Sequence, residues 1–228
     1  MDLYKIKVGT EWFKKIKTTM HSIYIGLFLN NVCDVDTSLI PKEQIDDIYS
    51  YKHIDDINKR LIARQKLYLF LQREFNFERF DLIFNTYKKP QLKYLKDMHF
   101  SISYSGKYIL IGLSKNNIGV DIEKLNTNLN IDELSKSIMH KNEYDYYMLL
   151  SGIEKYSFFY RAFNIKESII KAIGKGFYYD VSSIDTTSIK VGKNTYLDEH
   201  IINLIDIQIE NDNEYRGNIC YFNSQNNL

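Results

Sequence analysis

The sequence predicts a mixed α+β protein built from two closely packed halves, and three observations lead to this class. Short runs in both halves of the 228 residues alternate apolar and polar residues as strands do. Two long segments, one in each half, repeat apolar residues at helical spacing. With only two prolines and ten glycines, the chain contains no linker rich in Gly, Ser or Pro.

The first half begins with a buried strand and continues through two helices. Pro41 suits the first turn of a helix, and dense apolar positions after residue 55 are typical of a helix with a wide buried face. Arg60 and Arg64 lie one turn apart on this second helix. The predicted elements are a strand over 22–29, helices over 41–51 and 55–75, a strand over 80–84 and a loop over 85–96.

The second half repeats the order of strand, helices, long helix and strand. Its longest helix is followed by Gly174 and Gly176, which are typical of a helix C-terminus. The predicted elements are strands over 99–104, 108–113 and 118–122, helices over 132–139, 142–150 and 156–173, and strands over 183–191, 201–209 and 217–222. We therefore predict an N-terminal half over 20–98 and a C-terminal half over 99–223, with flexible ends at 1–19 and 224–228.

The composition is that of an ordinary folded protein, with 44% hydrophobic and 26% charged residues. The 30 Lys and Arg against 29 Asp and Glu argue against a dedicated nucleic-acid binder, which usually carries a basic surplus. Cys33 and Cys220 are too few for a disulfide framework, so we expect a cytoplasmic protein. The apolar run over 23–29 is far shorter than the roughly 20 residues that span a bilayer, so we expect no membrane association.

Asp121 and Glu123 are the first residues that indicate chemistry. They lie two apart on a predicted strand, so both carboxylates leave the same face while Ile122 points into the core. Adjacent carboxylates repel unless a positive group lies between them. A divalent cation that prefers oxygen ligands, Mg²⁺ or Ca²⁺, would supply that charge. The alternative is a strand end that has simply reached solvent.

A second group lies on the long helix of the second half. Phe163, Glu167 and Lys171 recur every four residues and form one stripe, separate from the apolar stripe that enters the core. A Glu four residues before a Lys is also an ordinary surface pair. The aromatic residue on the same stripe and the glycines directly after it favour a functional role.

Basic and hydroxyl residues precede the acidic strand. The loop over 87–96 carries four lysines and no acid, and the strand over 99–106 ends in hydroxyls and a glycine. Lysines and free turn N–H groups can hold phosphate, although such loops are usually just solvated. Neither a Walker loop nor a dinucleotide fingerprint is present. Together the three groups predict a metal-assisted site for a phosphate-rich substrate.

These motifs resemble those of the 4′-phosphopantetheinyl transferases of the surfactin-synthetase-activating (Sfp) type. Residues 118–124 (IGVDIEK) resemble the family's G-[IV]-D-[IV]-E strand, and 163–171 (FNIKESIIK) its [WF]-x-x-K-E-[AS]-x-x-K helix. Residues 88–90 (KKP) resemble its G-K-P loop, and 100–106 (FSISYSG) its F-x-[IL]-S-H-S-G strand. The motifs occur in the family's order between residues 51 and 177.

The resemblance implies a pseudo-twofold monomer of two similar α/β halves, with coenzyme A in the cleft between them. It implies Mg²⁺-dependent transfer, in which Mn²⁺ could replace Mg²⁺, of the 4′-phosphopantetheine arm of coenzyme A. The acceptor would be a serine of an acyl or peptidyl carrier protein, and adenosine 3′,5′-bisphosphate would be the other product. Neither nucleic acid nor membrane is an expected partner.

The resemblance also implies roles for individual residues. Asp121, Glu123 and Glu167 would hold Mg²⁺. Lys171 would contact the phosphate and assist the leaving group. Glu167, with Glu143 as second choice, would accept the serine proton. The candidates for binding coenzyme A are Lys52, Arg60, Lys89, Pro90, Ser103, Tyr104 and Lys171.

Two positions depart from the family pattern. Tyr104 stands where the family has histidine, and Lys88 where it has the glycine of the loop. Tyrosine brings no positive charge to a phosphate, so we expect weaker binding of coenzyme A. Three hypotheses therefore remain open: an active transferase, a catalytically degenerate relative that binds coenzyme A or a protein partner without transfer, and a purely structural protein.

Overall fold

The computed structural model describes residues 3–6, 13–18, 22–30 and 35–223. The N-terminal elements are β1 (Leu3–Ile6), β2 (Lys14–Lys17), β3 (Ser22–Leu29), α1 (Lys42–Tyr49), α2 (Ile54–Phe75), β4 (Leu82–Phe84) and β5 (Pro90–Leu92). The remaining elements are β6 (His99–Ser105), β7 (Tyr108–Ser114), β8 (Ile118–Lys124), α3 (Ile131–Ile138), α4 (Lys141–Tyr147), α5 (Gly152–Ile173), β9 (Thr195–Leu197), β10 (His200–Ile209) and β11 (Asp212–Phe222).

Two sheets organise the molecule. One has the strand order β1-β10-β11-β8, with β9 also paired to β10, and the other has the order β2-β3-β7-β6. All pairings in these sheets are antiparallel except that of β1 with β10. Strands β4 and β5 form a separate two-stranded hairpin. Strands β6 and β8 are thus each the last strand of a different sheet.

The two sheets pack face to face, and a long helix covers each outer face. Alternate residues of β3 explain this layering, because Ile23 and Ile25 face the other sheet while Tyr24 and Phe28 face α2. Helix α5 packs its apolar side on β10 and β11. The mixed α+β class is therefore confirmed, whereas a pseudo-twofold relation between the halves stays a prediction.

The structure differs from the sequence prediction at several elements. The segment predicted as a strand over 183–191 forms a 3-10 helix (Val181–Ser183) and turns. The Asp180 side chain accepts from Ser182 N–H, and Asp185 accepts from Thr187 N–H, so side chains replace ladder partners there. A short strand, β5, lies in the predicted loop, and α5 begins at Gly152 rather than at Tyr156.

Two further predictions concerned the ends of the chain and the boundary between its two halves. We expected residues 1–19 to be flexible. Within them, β1 pairs with β10 of one sheet and β2 pairs with β3 of the other. Residues 224–228 and Cys33 lie outside the described residues. Strand β7 pairs with β3, so the four-stranded sheet crosses the boundary that we predicted after residue 98. Among the described residues, no helix is long and apolar enough to cross a membrane.

Candidate functional site

A cavity of about 410 Å³ opens between α2, the loop before β5, strand β6 and the last turns of α5. Its lining is strongly basic, because Glu167 is its one acidic side chain among the described residues. The charged lining residues are Arg60, Arg64, Lys88, Lys89, Glu167 and Lys171. The charge of the cavity suits an anion with several phosphates.

Two arginines of α2 form one wall of this cavity. The Arg60 guanidinium lies 3.7 Å from the centre of the Tyr51 ring. The Arg64 guanidinium lies 5.7 Å from the centre of the Phe100 ring, and its Nη1 is buried without a hydrogen-bond partner. A buried N–H without a partner is costly, so Arg64 is suited to an incoming acceptor. We did not predict Arg64 as a binding residue, although its spacing of four from Arg60 placed both on one face.

Tyr104 lies across from these arginines on β6 and also lines the cavity. Burial raises the pKa of the Tyr104 hydroxyl, while the positive charges of Arg64 and Arg60 act in the opposite direction. The tyrosine is therefore neutral at pH 7 and can donate to a phosphate oxygen. The positive charge that the family's histidine could carry is provided here by the nearby arginines.

Asp121 and Lys171 meet at the inner end of the cavity. Lys171 Nζ donates to Asp121 Oδ1 over 2.6 Å, and Asp121 is 1% exposed. Gly119 permits this approach, because a Cβ at that position would lie 1.9 Å from Ser168 O on α5. The glycine of the acidic strand motif therefore sets the contact between β8 and α5.

Serine hydroxyls join β6 to β8 where the two sheets meet. One edge of β8 pairs with β11, and its other edge has no neighbouring strand in its sheet within the described part of the chain. Alternate serines of β6 accept the N–H groups of that second edge. The pairs are Val120 N–H to Ser101 Oγ (3.0 Å), Ile122 N–H to Ser103 Oγ (3.3 Å) and Lys124 N–H to Ser105 Oγ (2.9 Å). We call these three hydroxyls the serine seam.

Burial and the charge of Asp121 raise the pKa values of two nearby glutamates, Glu123 and Glu167. Burial and the nearby Asp121 raise the pKa of Glu123 to about 7. Burial also raises the pKa of Glu167, with Lys171 opposing the rise and Asp121 adding to it. Asp121 Oδ2 is buried and has no hydrogen-bond partner. Anionic groups held together in this way would be stabilised by an added cation.

The donors fit Mg²⁺ in their chemistry. They are carboxylate oxygens, and Asp121 Oδ2 is an unsatisfied acceptor. Across the described residues, no three His, Cys, Asp or Glu side chains are grouped so that they could hold a metal by themselves. Mg²⁺ usually takes only one or two carboxylates and completes its shell with water and substrate phosphates, so this arrangement is compatible with it.

A second groove, of about 700 Å³, lies on the other side of the carboxylates. Glu123 and Ser105 form its inner end, and Phe163 of the predicted helix stripe lines it. Leu129 and Leu134, which are 37% and 39% exposed, give it an apolar rim. Glu167 and Lys171 thus face the cavity, while Phe163 faces this groove.

The lysine-rich loop is held against α5 by its own side chains. Lys89 Nζ donates to the carbonyl oxygens of Lys171 (2.6 Å) and Ile118 (3.3 Å). Burial lowers the pKa of Lys89 to about 8. Asn85 Nδ2 donates to Gly174 O over 2.9 Å. Lys88 has φ 65°, the left-handed conformation that glycine adopts readily, so the backbone retains this turn without the glycine.

Glu143 lies apart from both cavities and is fully buried in a structural network. It forms an ion pair of 2.8 Å with Lys166, which is also fully buried. His140 N–H donates to one Glu143 oxygen, and the N–H and hydroxyl of Thr186 donate to the other. Both carboxylate oxygens are therefore occupied, and the geometry gives Glu143 no access to a substrate hydroxyl.

Comparison with known proteins shows which family part of the chain resembles. Residues 117–220 match the model of the 4′-phosphopantetheinyl transferase superfamily, a segment that contains Asp121, Glu123, Glu167 and Lys171. Over this segment the chain is similar to that superfamily. It is 31% identical over 141 residues to 4′-phosphopantetheinyl transferase Sfp of Bacillus subtilis (strain 168), covering 61% of this chain and 62% of that protein.

Two further phosphopantetheinyl transferases are similar in sequence to this chain. The transferase gsp of Aneurinibacillus migulanus is 30% identical over 150 residues, which are 64% of this chain and 61% of that protein. The transferase ffp of Bacillus subtilis is 27% identical over 187 residues, which are 80% of this chain and 82% of that protein. The matches to Sfp and gsp thus span less than two thirds of those relatives.

The structure brings together most of the residues that we predicted for a phosphopantetheinyl transferase site. Arg60, Lys89, Pro90, Tyr104, Glu167 and Lys171 line the basic cavity. Ser103 is 4% exposed and is bonded to Asp121 and Lys171. Lys52 is exposed and is not part of the cavity lining.

Proposed function

We propose that the protein transfers the 4′-phosphopantetheine arm of coenzyme A to a serine hydroxyl of an acyl or peptidyl carrier protein. The observation that carries the proposal is that Glu167 lines a basic cavity while Glu123, which lies two residues from the buried Asp121, lines an open groove. The cavity suits the phosphates of coenzyme A, and the groove would give a macromolecular serine a path to Glu123. The family and the names of the relatives support this activity.

In the proposed reaction, the serine oxygen attacks the phosphorus that carries the pantetheine. A new P–O bond to serine forms, and the P–O bond to adenosine 3′,5′-bisphosphate breaks. The leaving group takes the electron pair of the broken bond, and the serine proton passes to a base. Lys171 stabilises the negative charge that develops on the leaving phosphate.

Glu167 is the proposed acceptor of the serine proton. It lines the cavity, and burial raises its pKa, which makes the carboxylate a stronger base at neutral pH. Both oxygens of Glu143 are occupied by other donors, which supports Glu167 over our second choice. Arg60 and Arg64 would bind phosphate groups of coenzyme A on the α2 side.

Mg²⁺ is the proposed metal, with Mn²⁺ as a substitute. Asp121 Oδ2, Glu123 and Glu167 would hold it, together with substrate phosphate oxygens and water. When bound, it would neutralise the pyrophosphate and polarise the phosphorus. The chain's own part is to place Glu123 and Glu167 near Asp121, although burial and the charge of Asp121 raise the pKa values of both glutamates.

Mass spectrometry of a carrier protein tests the proposal. Carrier protein is incubated with this protein, coenzyme A and Mg²⁺, and a parallel sample contains a chelator in place of Mg²⁺. We expect the carrier to gain one phosphopantetheine arm only with Mg²⁺. A carrier that stays unmodified here, yet is modified by an active transferase in parallel, would contradict the proposal. Binding of coenzyme A without transfer would instead favour the degenerate relative.

A further inference from the structure

We infer that Ser103 and Ser105 are positioning residues that orient Asp121 and Glu123 toward the metal. Both belong to the serine seam, and each also contacts a carboxylate. Ser103 Oγ donates to Asp121 Oδ1 over 2.8 Å, and Ser105 Oγ donates to Glu123 Oε2 over 2.9 Å. Because Mg²⁺ binding belongs to the proposed function, this role depends on that function.

The hydrogen bonds that each serine hydroxyl accepts determine where its proton points. A serine hydroxyl has one proton and two lone pairs. In Ser103, the N–H of Ile122 and the ammonium of Lys171 use the lone pairs, so the proton points to Asp121. In Ser105, the N–H of Lys124 holds the oxygen in place, and the proton points to Glu123.

The same bonds decide which carboxylate oxygen stays free. Asp121 Oδ1 accepts from both Ser103 and Lys171, whereas the buried Oδ2 accepts from no group. The Ser105 hydroxyl likewise holds Oε2 of Glu123, and no donor among the described residues reaches Oε1. Each serine therefore turns one oxygen away from the seam, where a cation can reach it.

The first serine of the seam provides a matched control. Ser101 Oγ accepts the N–H of Val120 over 3.0 Å, as the other two serines accept theirs, but it has no carboxylate partner. Replacing any of the three serines by alanine removes one bond between β6 and β8. Only Ser103→Ala and Ser105→Ala also release a carboxylate.

Titration of Mg²⁺ into the protein saturated with coenzyme A, followed by calorimetry without carrier protein, tests the inference. We expect Ser103→Ala and Ser105→Ala each to weaken Mg²⁺ binding about tenfold, the lower end of the range for groups that orient metal ligands. Ser101→Ala should keep the wild-type affinity, and Ser105→Thr, which retains a hydroxyl, should restore most of it. Thermal unfolding should show a larger loss of stability for Ser103→Ala and Ser105→Ala than for Ser101→Ala, because each of the first two also loses a bond to a carboxylate.

Equal Mg²⁺ affinity in the three alanine variants would overturn the positioning role and leave the proposed function intact. Absence of Mg²⁺ binding in the wild-type protein would overturn both, so the two failures are distinguishable. If an alanine variant unfolds, the pair Ser105→Thr and Ser105→Val still decides the matter, because wild-type Mg²⁺ affinity in the first with a loss in the second would retain the role. Wild-type affinity in Ser105→Val would reject it.

Discussion

Lys171 Nζ lies 2.6 Å from Asp121 Oδ1, and this contact joins the last turn of α5 to β8. The lysine side chain is 30% exposed and that of the aspartate 2%. The lysine can therefore reach a ligand in the cavity while the aspartate stays out of bulk water. A single ion pair thus connects the proposed phosphate site with the proposed metal site.

Asp121→Asn should lower the transfer rate by roughly 100-fold, because the amide keeps the shape but removes the charge that faces Lys171 and the metal. Timed mass spectrometry of the carrier protein measures the rate. Asp46→Asn on α1 makes the same change at an exposed position and should leave the rate unchanged. Equal rates for the two variants would remove Asp121 from the site.

Arg64→Gln should weaken binding of coenzyme A about tenfold or more, because a buried guanidinium N–H loses its charge-assisted bond to phosphate. Isothermal titration with coenzyme A measures the affinity. Lys52→Gln removes a positive charge outside the cavity and should have little effect. If Lys52→Gln weakens binding as much as Arg64→Gln, net charge rather than the cavity would control affinity.

Glu143→Ala should destabilise the protein by about 3–5 kcal/mol, because it leaves the Lys166 ammonium buried without its carboxylate. Urea denaturation measures this loss. The double variant Glu143→Leu/Lys166→Met removes both charges and should regain much of the stability. Its transfer rate per folded molecule should equal the wild-type rate, and a rate loss of 100-fold would restore Glu143 as a proton acceptor.

Gly119→Ala should cost about 3 kcal/mol or more, since its Cβ would lie 2.4 Å from Ala172 N as well as against Ser168 O. Gly152→Ala is the control, because its Cβ would meet no atom within 4 Å and only the φ of 54° is strained. We expect that control to lose about 1 kcal/mol. Similar urea midpoints for both variants would mean that α5 moves to accept a larger residue.

The stability of the protein should fall between pH 5 and 8 because of Glu123. Its pKa is raised from 4.5 to about 7, so the folded state binds this proton more tightly than the unfolded chain does. This contribution is fully present below about pH 4.5 and is lost as the pH rises through 7. It amounts to at most about 3 kcal/mol.

Urea denaturation at several pH values checks this dependence. Glu123→Gln should flatten the fall in unfolding free energy, and Glu154→Gln, at an exposed site on α5, should not. Parallel pH profiles for the wild type and Glu123→Gln would show that Glu123 titrates normally in the folded protein.

Local periodicity predicted most of the elements, because the apolar stripes of α2 and α5 reflect their own burial. Strand β7 is buried at every residue, so its burial does not follow the alternation that we expected. The same reasoning led to the wrong prediction of a strand over 183–191. Ile184 and Ile189 are buried like strand residues, but Asp180 and Asp185 bind nearby backbone N–H groups and close turns instead.

The sequence motifs predicted that Asp121, Glu167 and Lys171 belong to one site, and the structure places Lys171 against Asp121. The site was not predictable where a distant partner decides the role. The alternating hydroxyls of β6 suggested an anion site, yet Ser103 and Ser105 face β8. The sequence did not show that the Glu143 carboxylate is already paired, because its partners Lys166 and Thr186 come from other parts of the chain.

The serine seam has a consequence for how this protein can change over time. Every sequence carries main-chain amides, whereas a change in a single codon can remove a serine hydroxyl. Since β6 and β8 meet through hydroxyls, substitutions at residues 101, 103 and 105 can alter the join while each sheet keeps its own ladder. Natural variation at these three positions can therefore change how firmly the two sheets are joined at β6 and β8 without rebuilding the fold.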